Sequence, residues 1–160
     1  RKATDPEKVW AGVGVVLPHD EPPEGWDATM GFSVMGFGQY QLVPAEPAGC
    51  LFQVQTFPDA QPVDSALDPD SPQNAGVFGV GELREPEEGT FVLQGREVRC
   101  LRFLGGVPGV SGGAGIRLDL SGASAAPNVF VQILLPRASE KLADEEVQEL
   151  FRPFDVWRGR

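Results

Sequence analysis

Asn128-Val129-Phe130-Val131-Gln132-Ile133-Leu134-Leu135 decides the architecture. Successive side chains of a strand point to opposite sides, so Val129, Val131, Ile133 and Leu135 share one face and Phe130 and Leu134 the other. A strand that is apolar on both faces is a central one, covered by helix or loop. Shortly before it, Ile116-Arg117-Leu118-Asp119-Leu120 alternates with period two, with Ile116, Leu118 and Leu120 inward. Shortly after it, Val147, Leu150, Phe151 and Phe154 recur at i, i+3, i+4 and i+7, the apolar stripe of a helix. Asp144 is the expected N-cap, and Glu145 and Glu146 fall in the first turn, where the helix dipole favours anions. Pro153 is expected to end this helix near Phe151. A second short helix is expected from Ser139.

Further towards the N-terminus, Leu51 to Phe57 sets Phe52, Val54 and Thr56 against Gln53 and Gln55, a strand with one wet face. Residues 31–43 read as a bent strand. Val9-Trp10-Ala11-Gly12-Val13-Gly14-Val15-Val16-Leu17 is rich in β-branched residues and bounded by Pro18, so it also reads as a strand. Residues 58–75 are rich in Pro and Asp without periodicity, as in a mobile or functional loop. Strands are expected at Val77 to Leu83 and Thr90 to Leu93, separated by the acidic turn Glu85-Pro86-Glu87-Glu88-Gly89, and again at Glu97 to Leu104 after a turn at Gly95. The expected fold is α+β: a mostly antiparallel sheet of about seven strands packed against a C-terminal helix, an α/β sandwich. Residues 1–160 read as a single domain, long enough to bury a substantial core.

A hydrophobic fraction of 41% excludes wholesale disorder, and no apolar run is long enough for a transmembrane helix. The 13 basic and 23 acidic side chains leave a net charge of −10. The excess lies in the first two thirds of the chain, and its field disfavours nucleic acid and anionic membrane surfaces. The chain opens Arg1-Lys2-Ala3-Thr4-Asp5 with no visible signal peptide, and a removed leader and a processed start both fit. Cys50 and Cys100 both fall in segments read as strands. They suit either a bridge between neighbouring strands or two buried thiols.

The candidate reactive groups are sparse. Gly109-Val110-Ser111-Gly112-Gly113 fits G-x-S-x-G, but a nucleophile elbow needs a strand before the Ser and a helix after it, and here a strand follows. The single histidine, His19, precedes Ser111, against the hydrolase order. The Gly105 to Gly115 run lacks the helix and the Lys or Ser/Thr of a phosphate loop. Asp64, Asp68, Asp70 and Asn74 are hard oxygen ligands suited to Ca²⁺, yet Pro72 and Gln73 break the EF-hand pattern. Trp10, Trp26, Trp157 and Tyr40 read as core aromatics. No cofactor is expected.

The layout resembles the PsbP-like family of α/β sandwiches. The likeness rests on Leu17-Pro18 through Pro23-Glu24-Gly25-Trp26, on the glycine-marked hairpin Leu93-Gln94-Gly95-Arg96-Glu97-Val98-Arg99-Cys100-Leu101-Arg102-Phe103, and on the last strand followed by a helix reaching Phe154. The resemblance implies a non-catalytic, often extracytoplasmic, protein-binding or accessory module. The compartment is otherwise undetermined by the sequence, as is the oligomeric state.

The expected function is therefore a non-enzymatic binding or accessory domain that presents an acidic surface to a protein partner. Asp64, Asp68, Asp70, Glu82, Glu85, Glu87 and Glu88 are its candidate contact residues. The alternatives are a small serine hydrolase using Ser111 and His19, and a Ca²⁺-stabilised extracellular module.

Overall fold

The computed structural model describes residues 2–3, 5–58, 64–123, 126–137 and 139–159, with the side chains of residues 2, 3 and 64 outside the description. Eight strands form one antiparallel sheet in the order β1-β2-β3-β4-β8-β7-β6-β5. They are β1 (Lys2–Ala3), β2 (Asp27–Val34), β3 (Phe37–Val43), β4 (Leu51–Phe57), β5 (Leu83–Leu93), β6 (Arg96–Gly105), β7 (Ala114–Asp119) and β8 (Asn128–Leu135). Seven are full strands, and β1 adds two residues beside Gly31 and Phe32. The doubly apolar β8 is buried along its whole length and lies at the centre, next to β4.

Two apolar cores lie on opposite faces of the sheet. The first joins Val129, Val131 and Ile133 to Phe52, Val54, Ile116 and Leu118 beneath two helices, α1 (Pro6–Val16) and α3 (Asp144–Phe151). The second joins Phe130 and Leu134 to Phe57, Leu101 and Phe103. It is closed by an excursion between β4 and β5 that holds a 3₁₀ turn (Asp64–Leu67) and the short α2 (Gln73–Gly76). Ala66, Leu67, Phe78 and Val80 of this excursion are buried. The 58–75 segment is thus the cover of a core, apart from residues 59–63, which lie outside the described residues.

Residues 9–17 are not a strand. Val9, Val13 and Val16 stand at i, i+4 and i+7, and with Trp10 they make the buried stripe of α1. Asp5 caps the helix, accepting from the Glu7 N–H at 3.1 Å, and Pro6 opens it. Gly12 lets α1 settle on Tyr40: a Cβ there would lie 2.5 Å from the ring. The expected bent strand at 31–43 is instead the β2–β3 hairpin, turned at Met35 and Gly36, both at positive φ.

No strand forms over residues 77–82, where Phe78 and Val80 drop into the second core. The acidic run is not a turn either. It belongs to β5, an edge strand of 11 residues with a bulge between Arg84 and Glu87 and positive φ at Glu85. At the other end, Ala143 rather than Asp144 is the N-cap of α3, its N–H bonded to Glu146 Oε2 at 2.7 Å. The helix ends at Phe151, while residues 139–143 are non-helical. Cys50 and Cys100 are free buried thiols. Cys50 precedes β4 and Cys100 is on β6, with β8 and β7 between, so no bridge is within reach.

Candidate functional site

The acidic residues of β5 sit on the open side edge of the sheet. Glu85, Glu87 and Glu88 are exposed on the strand and Glu82 is exposed just before it. Charges and a bulge on an edge strand guard it against pairing with another chain. Glu87 lies opposite Arg102, on the face carrying α3, whereas Glu88 lies opposite Leu101 and faces the other way. Arg102 forms an ion pair with Asp144 at the start of α3, and Lys141 reaches Glu87 at 3.7 Å.

The same edge is tied to α3 by amide side chains. Gln148 donates to the carbonyl of Val92. Gln94 donates to the carbonyls of Phe151 at 3.1 Å and Phe154 at 2.7 Å, and accepts from the Val156 N–H at 3.1 Å. Trp157 Nε1 donates to the Leu93 carbonyl at 2.8 Å. Between helix and hairpin runs an open groove of about 620 Å³, lined by Gln94, Asp144, Glu145, Gln148, Glu149 and Arg152. The groove gathers the carboxylates of α3, and Lys141 links Glu87 of β5 to the same side, a grouping that spacing along the chain does not reveal.

Asp68 and Asp70 lie apart, in the excursion over the opposite face. Asp68 Oδ1 accepts the Asp70 N–H at 2.9 Å, a local turn. Asp64 opens the 3₁₀ turn and its side chain lies outside the description. Among the described residues no group of three or more His, Cys, Asp or Glu is arranged to hold a metal ion.

His19 and Ser111 are not joined. His19 Nδ1 donates to the Leu17 carbonyl at 2.9 Å, and its ring packs edge-on against Trp10 and Phe154. Ser111 is exposed in the loop between β6 and β7. A second cleft, of about 410 Å³, opens between α1 and the β2–β3 hairpin, lined by Gly12, Val16, Ser33, Tyr40 and Thr56 among others.

Sequence reasoning missed a polar rail on the second face. Gln41, Gln53, Gln132 and Arg117 lie side by side across β3, β4, β8 and β7, and Thr29, at a bulge of β2, joins the row by hydrogen bonding to Gln41. Gln41 donates to Thr29 Oγ1 at 3.2 Å, Gln53 to Gln41 at 3.2 Å and Gln132 to Gln53 at 2.8 Å. Arg117 is 0% exposed. It donates to Gln132 Oε1 at 2.6 and 3.0 Å and to the Ala66 carbonyl at 2.7 Å, and its guanidinium lies 3.6 Å over the Phe78 ring. No carboxylate partners it among the described residues, and burial pushes it down to about 9. The signal was present: an arginine in the middle of an apolar strand next to one buried on both faces has no wet side. Among the described residues no helix is long and apolar enough to cross a membrane.

Compared with family models, with curated proteins and with solved structures, the chain matches none of them.

Proposed function

We propose that this chain is a non-enzymatic binding or accessory domain that presents the acidic edge formed by β5 and α3 to a basic segment of a protein partner. The groove beside α3 carries the reading. It is concave and solvent-open, Asp144, Glu145 and Glu149 line it, and Glu87 of β5 is held on the same face through Lys141, while Glu82, Glu85 and Glu88 are exposed further along the edge. Along this edge the carboxylates of Glu82, Glu85, Glu87, Glu88, Glu97, Asp144, Glu145, Glu146 and Glu149 outnumber the cations Arg84, Arg96, Arg99, Arg102, Lys141 and Arg152. Arg152 also lines the groove, paired with Glu149 at 2.8 Å, and the carboxylates in excess of it draw an oppositely charged partner. Gln94 and Gln148 fix helix and hairpin to each other, so the groove is formed before binding. Asp68 and Asp70, on the other face, extend the acidic surface without joining the groove. An accessory, extracytoplasmic role is what the PsbP-like resemblance implies, and it belongs to the same proposal.

The test is a panel of Lys- and Arg-rich peptides titrated at low and high salt against the wild type and an Glu85→Lys/Glu87→Lys/Glu88→Lys variant. Binding that weakens at least ten-fold with salt and with charge reversal is expected. Affinity indifferent to both removes the acidic edge from the account.

A further inference from the structure

The cleft between α1 and the β2–β3 hairpin is floored by one tyrosine set among glycines. Gly31 of β2 lies opposite Tyr40, and Gly38 of β3 lies between Ser33 of β2 and Thr56 of β4. The Tyr40 ring fills the ground these glycines leave. A Cβ on Gly31 would stand 2.8 Å from it and one on Gly38 3.3 Å from it. Its hydroxyl reaches the helix, 2.8 Å from where a Gly12 Cβ would be. That hydroxyl has no hydrogen-bond partner among the described residues, and it is not sealed from solvent. Tyr40 and Gly12 both line the cleft, which is therefore the way by which solvent reaches it.

The walls are apolar, built by Val15, Val16, Phe57, Pro58, Ala126 and Pro127. The other two hydroxyls of the lining are engaged: Thr56 Oγ1 donates to the Gly36 carbonyl at 3.5 Å, and Ser33 has a partner as well. No charged side chain lines the cleft, in a chain of net charge −10. Val15 is 71% exposed, so the mouth opens on the solvent side of α1. The volume of about 410 Å³ lies within the range of small-ligand sites, about 300–1,000 Å³.

We propose that this cleft binds a small neutral molecule with an apolar body and one acceptor oxygen, a ketone or an ester. The Tyr40 hydroxyl is a donor without an acceptor, and a carbonyl oxygen supplies one. A pure hydrocarbon dries that hydroxyl and leaves it unpaired, which costs more than the missing hydrogen bond alone. A carboxylate or an ammonium loses its hydration with no countercharge in the walls to offset it. The cleft stands at the β2–β3 end of the sheet and the acidic groove at the β5 end, so failure of either reading leaves the other in place. Neither ligand nor lining is charged, so binding here is insensitive to salt.

Acetophenone, its hydrocarbon isostere α-methylstyrene, and benzoate, followed by NMR of the Val15, Val16 and Ala126 methyl groups, separate the outcomes. Acetophenone is expected to shift these resonances and to bind at least five-fold tighter than α-methylstyrene, which has no oxygen, and than benzoate, which is charged. Tyr40→Phe removes a hydroxyl that no described residue uses, so it is expected to melt no lower than wild type and to bind the two isosteres alike. Val15→Trp, a change on the exposed rim, is expected to close the mouth and abolish acetophenone binding. Each of three results overturns the proposal: no shift with acetophenone at millimolar concentration, equal binding of α-methylstyrene by the wild type, or a preference for acetophenone that survives in Tyr40→Phe. Methyl shifts that follow protein concentration and not the probe also overturn it, and make the cleft a seam between two copies of the chain.

Discussion

Arg117 Nη1 donates to Asn74 Oδ1 at 2.7 Å, so a residue of β7 holds the segment that closes the second core. Asn74 in turn donates to the carbonyls of Asp68 and Pro69 at 3.1 and 3.0 Å, which fixes the turn leading into α2. The same guanidinium reaches the Ala66 carbonyl, and Gln132 reaches that of Phe78 at 2.9 Å. Two side chains of adjacent strands therefore fasten the cover at three points along its length.

Replacing Arg117 by Ala is expected to lower unfolding free energy by about 3–5 kcal/mol, since it leaves a void and strands several buried acceptors. Arg117→Lys is expected to fall between wild type and Ala. A compact ammonium keeps the charge but has no planar fork to serve Gln132, Ala66 and Asn74 together. Urea unfolding of the three proteins, read as a shift in midpoint, checks the order. Equal midpoints for Arg117→Ala and wild type contradict the fastening role.

Two glycines in the sheet are expected to respond in opposite ways to alanine. A Cβ on Gly115 in β7 would stand 2.5 Å from the Phe103 ring and 3.0 Å from Leu134, both fully packed. Gly115→Ala is expected to cost about 1–3 kcal/mol through overpacking. Gly89, on the exposed edge strand, has nothing within 4 Å of its would-be Cβ. Gly89→Ala is expected to be neutral or to gain up to about 1 kcal/mol from the lost unfolded-state freedom. Thermal melts of the pair measure the contrast.

The thiols are expected to be silent in the folded protein. Burial pushes Cys50 up to about 12 and raises Cys100 as well, so little thiolate exists at neutral pH. A thiol-specific reagent is expected to label neither residue in buffer and both after addition of denaturant. Rapid labelling of Cys50 in buffer, or a mass change on reduction, contradicts this arrangement.

Stability is expected to carry an acid-side contribution from Glu146. Its hydrogen bond to Arg137, with Nη1 to Oε2 at 2.9 Å, and the Ala143 N–H hold the carboxyl below its usual range. A depressed carboxyl stabilises the fold above its unfolded value, near 4.5, and loses that contribution as pH falls through the folded value. The pair is partly solvated, so wild type is expected to exceed Glu146→Gln by only about 0.5–1 kcal/mol at neutral pH. The difference is expected to shrink towards zero below pH 4.5. Denaturant midpoints at several pH values trace it, and a gap independent of pH removes the ion pair from the explanation.

The parts of the fold that the sequence reveals are those where one physical effect acts alone. β8 is apolar on both faces and nothing else competes with that reading, and the stripe of α3 is uninterrupted. The segment at 9–17 misleads because β-branched composition and helical spacing disagree there, and packing of Val9, Val13 and Val16 decides in favour of the helix. The acidic run at 85–89 looks like a turn, yet pairing of β5 with β6 carries the strand through it by a bulge. Gln53 and Gln55 are indistinguishable in the sequence, both on what reads as the wet side of β4. Only the register with β8, which sets Gln132 beside one and Phe130 beside the other, makes them different.

The position of β8 also constrains how the molecule is made. Its hydrogen-bonding neighbour β4 ends at Phe57, and β8 begins 71 residues later at Asn128. Until the last strand leaves the ribosome, β4 is a bare ledge and the halves of the sheet are two separate ribbons. A nascent chain stalled before Asn128 exposes that ledge to its neighbours, so the risk of clumping during synthesis falls on its late stages, and insertion of this one strand ends it.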